Sequence, residues 1–224
     1  MNGCKNNTNE SHWHGKTWYA YGTSLTGEYR GRYAKYVAEI SGLICVNKGI
    51  GGGGIIDNRK IYDAVMSEDG KASADLITLE VGANDGKAPL GLPTDTDDTT
   101  FCGSLNQCIK YLLENCPKAQ IVIMDSTRQR YKLDEPENLS KLNAVLPGGY
   151  NYIERAEAIR QCCIINGVYF IPLSQLGLGL YRMQNNKNYL VDHVHHSELG
   201  GYNLAQGIWA YLKNIPLWYN ELPK

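Results

Sequence analysis

The chain has 224 residues, of which 43% are hydrophobic and 20% charged, with a formal net charge of −1. That size and composition suit one globular domain with a substantial core. The charge balance excludes the basic footprint of a nucleic-acid or acidic-membrane binder, and no apolar run approaches the ~20 residues that span a bilayer.

Met1 to Lys16 is polar and without periodicity and reads as a loose N-terminal arm, with residues 17–224 forming the domain. His12 and His14 lie in the arm, and two histidines hold a metal only with further ligands, so no metal site is assigned. No apolar signal-peptide core follows Met1, which fits a cytoplasmic protein, a secreted or phage-associated module freed of its leader, or a module of a longer protein.

Thr17 to Thr23 is the first expected strand. From Tyr29 the pattern turns helical, with Tyr33, Tyr36, Val37 and Ile40 at three- and four-residue spacing and Gly42 as C-cap. Leu43 to Asn47 is a second strand, Lys48 to Gly54 a glycine-rich loop, and Ile55 to Met66 a short helix. Ala74 to Val81 is a buried central strand that stops at Gly82. After a polar loop to Thr100, Phe101 to Cys116 is an amphipathic helix ended by Pro117. Ala119 to Met124 is a strand buried on both faces. Asp125 to Gly149 is a charged loop long enough to suggest a functional wall. A helix over Tyr152 to Ile165, a strand over Val168 to Pro172, an irregular stretch to Leu190 and a helix over Ser197 to Leu212 complete the chain. Strand and helix alternate five times, which predicts an α/β fold with a parallel sheet and helices on both faces.

Seven cysteines leave at least one thiol unpaired within the chain, and no C-x-x-C spacing marks zinc or redox work. Cys108, Cys116 and Cys162 fall on apolar helix faces and read as small buried hydrophobes, which leans towards a reducing compartment.

Four stretches carry chemistry, and each also has a purely structural explanation. Gly22-Thr23-Ser24 sits at a strand-to-helix turn, where a serine near a helix N-terminus can be a nucleophile or simply an N-cap. Gly49 to Gly54 allows close backbone approach. It also satisfies G-x-G-x-x-G, so a dinucleotide site with Glu80 as the ribose-binding acid is an alternative. Asn84, just past the central strand, offers an uncharged amide donor suited to a developing oxyanion, although Asn-Asp-Gly is also a turn former. Asp192-His193-Val194-His195-His196 precedes the last helix, and the three-residue spacing of Asp192 and His195 lets one turn aim both inwards. His193 and His196 are rivals for the base, and surface histidines or a metal cluster are the alternatives. All four stretches fall at one edge of the expected sheet, the constellation needed for acyl transfer.

On Gly22-Thr23-Ser24-Leu25-Thr26, Asn47 to Gly52, Gly82-Ala83-Asn84-Asp85 and Asp192 to His195, the chain resembles the SGNH (GDSL-like) hydrolase family, of a bacterial or phage-associated type. The four blocks stand in family order and span nearly the whole chain. One departure is Thr23, where the family usually has Asp. The missing G-x-S-x-G argues against an α/β-hydrolase elbow.

The resemblance implies a three-layer α/β/α, flavodoxin-like domain with about five parallel strands. It implies a serine esterase with Ser24 as nucleophile, His195 as base and Asp192 as its orienting acid. Ser24 and Gly52 N–H groups and the Asn84 amide would form the oxyanion hole, with no metal or organic cofactor. The expected partner is a small-molecule or carbohydrate ester, with O-acetyl groups favoured. Lipase, lysophospholipase or thioesterase activity, dinucleotide binding, and a non-catalytic carbohydrate-binding module are the alternatives.

Overall fold

The computed structural model describes residues 11–126, 144–176, 187–192 and 194–219. The strands are β1 (Thr17–Gly22), β2 (Ile44–Gly49), β3 (Leu76–Val81), β4 (Gln120–Asp125) and β5 (Tyr169–Ile171). The helices are α1 (Tyr33–Ser41), α2 (Lys60–Met66), α3 (Phe101–Asn115), α4 (Tyr152–Asn166) and α5 (Glu198–Leu212). All five strands pair in parallel in the order β2-β1-β3-β4-β5, which is the flavodoxin-like order. The chain reverses direction across the sheet between β1 and β3, so the crevice at their carboxyl ends is where such sheets bind ligands.

The central strands are apolar because both faces are covered. One face of the sheet, with Tyr21, Ile77, Leu79 and Ile123, packs on α2, α3 and α4. The other, with Trp18, Ala20, Leu76 and Val122, packs on α1 and α5. Thr78 sits in that second layer because its hydroxyl accepts from the Trp18 indole N–H at 2.9 Å.

Local caps set several helix ends. The Thr100 side chain accepts from the Gly103 N–H at the start of α3. Asn151 and Glu154 form a reciprocal capping box on α4. Gly42 closes α1 in the left-handed conformation, as expected.

Three expectations are corrected. First, α1 begins at Tyr33 and not near Tyr29. Residues 24–31 form successive turns, entered by Thr26 and Gly27 N–H bonds to the Thr23 carbonyl. Second, β2 runs on through Lys48 and Gly49, and α2 begins only at Lys60, because the N–H groups of Ile55, Ile56 and Asp57 turn to the Asp85 carboxylate. Third, residues 11–16 are packed and not loose. Trp13 is fully buried and its indole donates to the Leu212 carbonyl at 2.8 Å, while His12 Nε2 meets the Ile215 carbonyl at 2.8 Å.

Residues 127–143 of the long loop lie outside the described residues. Six cysteines among the described residues are free thiols. Cys108, Cys116 and Cys162 are buried in the α3–α4 layer.

Candidate active site

The site is built from four loops at the carboxyl edge of the sheet. The first carries Ser24. Gly22 ends β1 there for lack of space: a Cβ would lie 2.1 Å from Thr26 Oγ1 and 2.9 Å from Glu80. Its value is room for close approach. Thr23 takes the place of a turn acid in part, since its Oγ1 accepts from the Leu25 N–H at 3.2 Å. Asn47 of β2 holds the same turn from the side, donating from Nδ2 to the Thr26 carbonyl at 2.8 Å. Ser24 is separated from α1 by the intervening turns, so it neither caps that helix nor stands at its N-terminus, which lies at Tyr33.

The second loop carries Gly52, which has a left-handed φ of 66°. Asn58 closes this loop by accepting from the Gly54 N–H and donating to the Gly52 carbonyl, at 2.9 and 2.8 Å. The third carries Asn84, whose Nδ2 donates to the Gly53 carbonyl at 2.9 Å. Two aspartates clamp these loops together reciprocally. Asp85 Oδ1 accepts from the N–H groups of residues 55–57, and Asp57 accepts from those of Gly86, Lys87 and Ala88.

That clamp removes the dinucleotide alternative. The N–H groups that a phosphate would need after the glycine run already face a carboxylate of the protein itself. Glu80 is equally unsuited to a ribose. It is fully buried, and its Oε2 accepts from the Thr23 N–H and hydroxyl.

The fourth loop carries Asp192 and His195. The Asp192 carboxylate accepts from the backbone N–H of Val194 and His195 at 2.7 and 2.6 Å, and its Oδ2 lies 2.7 Å from His195 Nδ1. The turn thus fixes the acid and the acid fixes the ring. Partial burial pulls the Asp192 carboxyl up, but the bonds from His195 and Val194 outweigh it and hold it down at about 2. His195 Nε2 lies 3.0 Å from Ser24 Oγ. With Nδ1–H given to the carboxylate, Nε2 is left as the acceptor for the serine hydroxyl.

His196 is excluded as the base. It is fully buried, neither ring nitrogen has a partner among the described residues, and burial followed by the His195 charge pushes it down to about 4. His193 lies outside the described residues.

Ser24, Gly52, Asn84 and His195 line one cavity of about 350 Å³. Arg30, Ser126 and Tyr152 also line it, and none of the three belongs to a sequence block. Ser126 lies in the long 125–149 loop and Tyr152 just beyond it, and that loop is the one signal that points towards them. Larger hollows near Trp218 and near Asn106 contain none of these residues. Among the described residues no three His, Cys, Asp or Glu side chains converge to hold a metal.

Several solved structures share the fold. A protein from Lactobacillus plantarum matches with a TM-score of 0.76 and 22% identity over 92% of this chain and 100% of its own. A possible lipase from Chitinophaga pinensis matches with a TM-score of 0.66 and 20% identity over 88% and 98%. An acetyl xylan esterase from Geobacillus stearothermophilus matches with a TM-score of 0.59 and 19% identity over 88% and 94%. No curated protein sequence matches significantly. Residues 16–201 match the family model of the GDSL-like lipases and acylhydrolases, and the chain therefore belongs to the GDSL-like Lipase/Acylhydrolase family.

Proposed function

We propose that the protein is a serine esterase that hydrolyses short-chain acyl esters, with O-acetyl groups on carbohydrate the favoured substrates. The observation that carries this reading is the continuous relay from Asp192 Oδ2 through His195 to Ser24 Oγ, at 2.7 and 3.0 Å. In the reaction, Ser24 Oγ bonds to the ester carbonyl carbon as its proton passes to His195 Nε2. The N–H groups of Ser24 and Gly52 and the second Asn84 Nδ2 hydrogen hold the oxyanion. The carbon–oxygen bond to the alcohol then breaks and the alkoxide takes the proton from His195. Water, deprotonated by the same nitrogen, releases the acid and restores the serine.

A cavity of about 350 Å³ supports a short acyl group, since ligand clefts range from about 300 to 1,000 Å³. The acetyl xylan esterase neighbour points the same way. Lipase, lysophospholipase and thioesterase activities are the second reading within the family.

The test is turnover of p-nitrophenyl acetate and p-nitrophenyl octanoate by wild type and Ser24→Ala, followed by acetate release from acetylated xylo-oligosaccharides. Serine-dependent turnover of acetate with poor octanoate turnover is expected. Octanoate turned over faster than acetate would favour a lipase. Turnover unaffected by Ser24→Ala would refute the nucleophile assignment, and no turnover of any ester would favour a non-catalytic carbohydrate-binding module.

A further inference from the structure

A fully buried carboxyl stands directly behind the serine turn. Glu80 projects from β3 into the layer under α1, two residues beyond Thr78 on the same side of the strand. Its Oε2 accepts from the Thr23 N–H at 2.7 Å, from the Thr23 hydroxyl at 2.7 Å and from the Thr26 hydroxyl at 3.4 Å. Thr23 and Thr26 bracket Ser24, and both are fully buried. From the other side, the Tyr33 hydroxyl of α1 meets Thr26 Oγ1 at 2.7 Å. The approach depends on Gly22, where a Cβ would collide with both the Cβ and the Oε2 of Glu80.

An ionisable group here costs stability. Glu80 Oε1 has no hydrogen-bond partner among the described residues. Burial pushes the carboxyl up to about 7, against the Thr23 and Thr26 bonds that pull it down, with the Asp125 charge adding to the rise. An apolar side chain of similar volume would avoid that cost. What Glu80 supplies instead is an acceptor that two donors of one residue reach at once, and a second residue beyond the serine. The Leu25 N–H extends the chain by donating to Thr23 Oγ1, so the backbone on both sides of Ser24 is tied to one carboxyl.

We propose that Glu80 is a positioning residue for Ser24: its carboxyl, delivered by β3, fixes the turn that aims the serine hydroxyl at His195. The inference rests on Ser24 being the nucleophile. Glu80 never touches the ester, and its contribution lies in the alignment of Ser24 Oγ, to which the reaction rate is steeply sensitive.

The experiment is kcat and KM for p-nitrophenyl acetate, with thermal melting at pH 8, for wild type, Ser24→Ala, Glu80→Met and Glu80→Gln. Glu80→Met removes the acceptor at similar volume. Because it strips the buried Thr23 N–H and the Thr23 and Thr26 hydroxyls of their acceptor, it is expected to melt below wild type, while kcat, measured well below either melting temperature, falls roughly tenfold to a hundredfold with KM within about twofold. Glu80→Gln keeps one acceptor oxygen and is expected to recover most of kcat. A role confined to stability would instead make activity follow the melting temperature. Glu80→Met at wild-type kcat, or a loss confined to KM, overturns the inference while Ser24→Ala remains dead. Turnover by Ser24→Ala overturns the nucleophile reading and this inference with it. Should Glu80→Met not fold, Thr23→Val decides the matter, since it removes one donor and leaves the carboxyl. Reduced kcat at unchanged KM supports the role, and wild-type kcat ends it.

Discussion

Asn84 has two amide hydrogens, and one is already committed to the Gly53 carbonyl at 2.9 Å. That bond has a purpose beyond joining two loops. It stops the amide rotating, so the remaining hydrogen points in one direction before any substrate arrives, and preorganised donors are the ones that lower a barrier. Asn84→Ala should therefore lower kcat by roughly a hundredfold to a thousandfold, and the loss should appear in kcat and not in KM alone. Asn84→Asp should be at least as slow. Its carboxylate has no hydrogen to give, repels the oxyanion, and faces the Gly53 carbonyl as a second acceptor. Steady-state kinetics of the two variants check this, and a change confined to KM would reassign Asn84 to ground-state binding.

The loops after β2 and β3 share one mechanical unit, the exchange of N–H groups between Asp85 and Asp57. Asp57→Ala strips three N–H groups of their acceptor. They lie near the surface, so water compensates in part, and a loss of about 1–3 kcal/mol in urea unfolding is expected. Because the same loops carry Gly52 and Asn84, kcat should fall too, and Asp57→Asn, which keeps an acceptor oxygen, should lose less of both. Wild-type kcat in Asp57→Ala would separate the clamp from catalysis. The sequence blocks were legible because each candidate group sits in a short run at the end of a strand, where composition marks a turn. Asp57 was not, since it falls inside a stretch whose apolar Ile55 and Ile56 imitate a helix start. In the sequence Glu80 reads only as a ribose-binding acid, because one-dimensional spacing does not reveal that Gly22 leaves room beside it. Arg30 carries no pattern at all and enters the cavity through tertiary placement.

Across the molecule, alternation of strand and helix made the layered parallel fold legible, yet alternation alone leaves open which strands are neighbours. Trp13 shows a different limit: polar neighbours hid an anchor that docks on the end of α5 through the Leu212 carbonyl. Two buried titratable groups, both within the site region, set opposing dependences of stability on pH. Glu80 is raised from 4.5 to about 7, chiefly by burial. Its contribution is fully present below 4.5 and is lost as pH rises through about 7, a change of roughly 3 kcal/mol. His196 is lowered from 6.5 to about 4, again chiefly by burial. Its contribution is present above 6.5 and is lost as pH falls through about 4, also by roughly 3 kcal/mol. The two slopes overlap and nearly cancel, so wild type conceals both. Removing either group exposes the other. Relative to wild type, Glu80→Gln should gain stability as pH rises from 4.5 to 7, and His196→Leu should gain it as pH falls from 6.5 to 4. Urea unfolding at half-unit pH steps measures each difference directly, with every other titrating group common to the pair. A difference between Glu80→Gln and wild type that stays constant across that window would mean that Glu80 titrates like an exposed carboxyl, in which case its burial behind the serine turn carries no electrostatic cost.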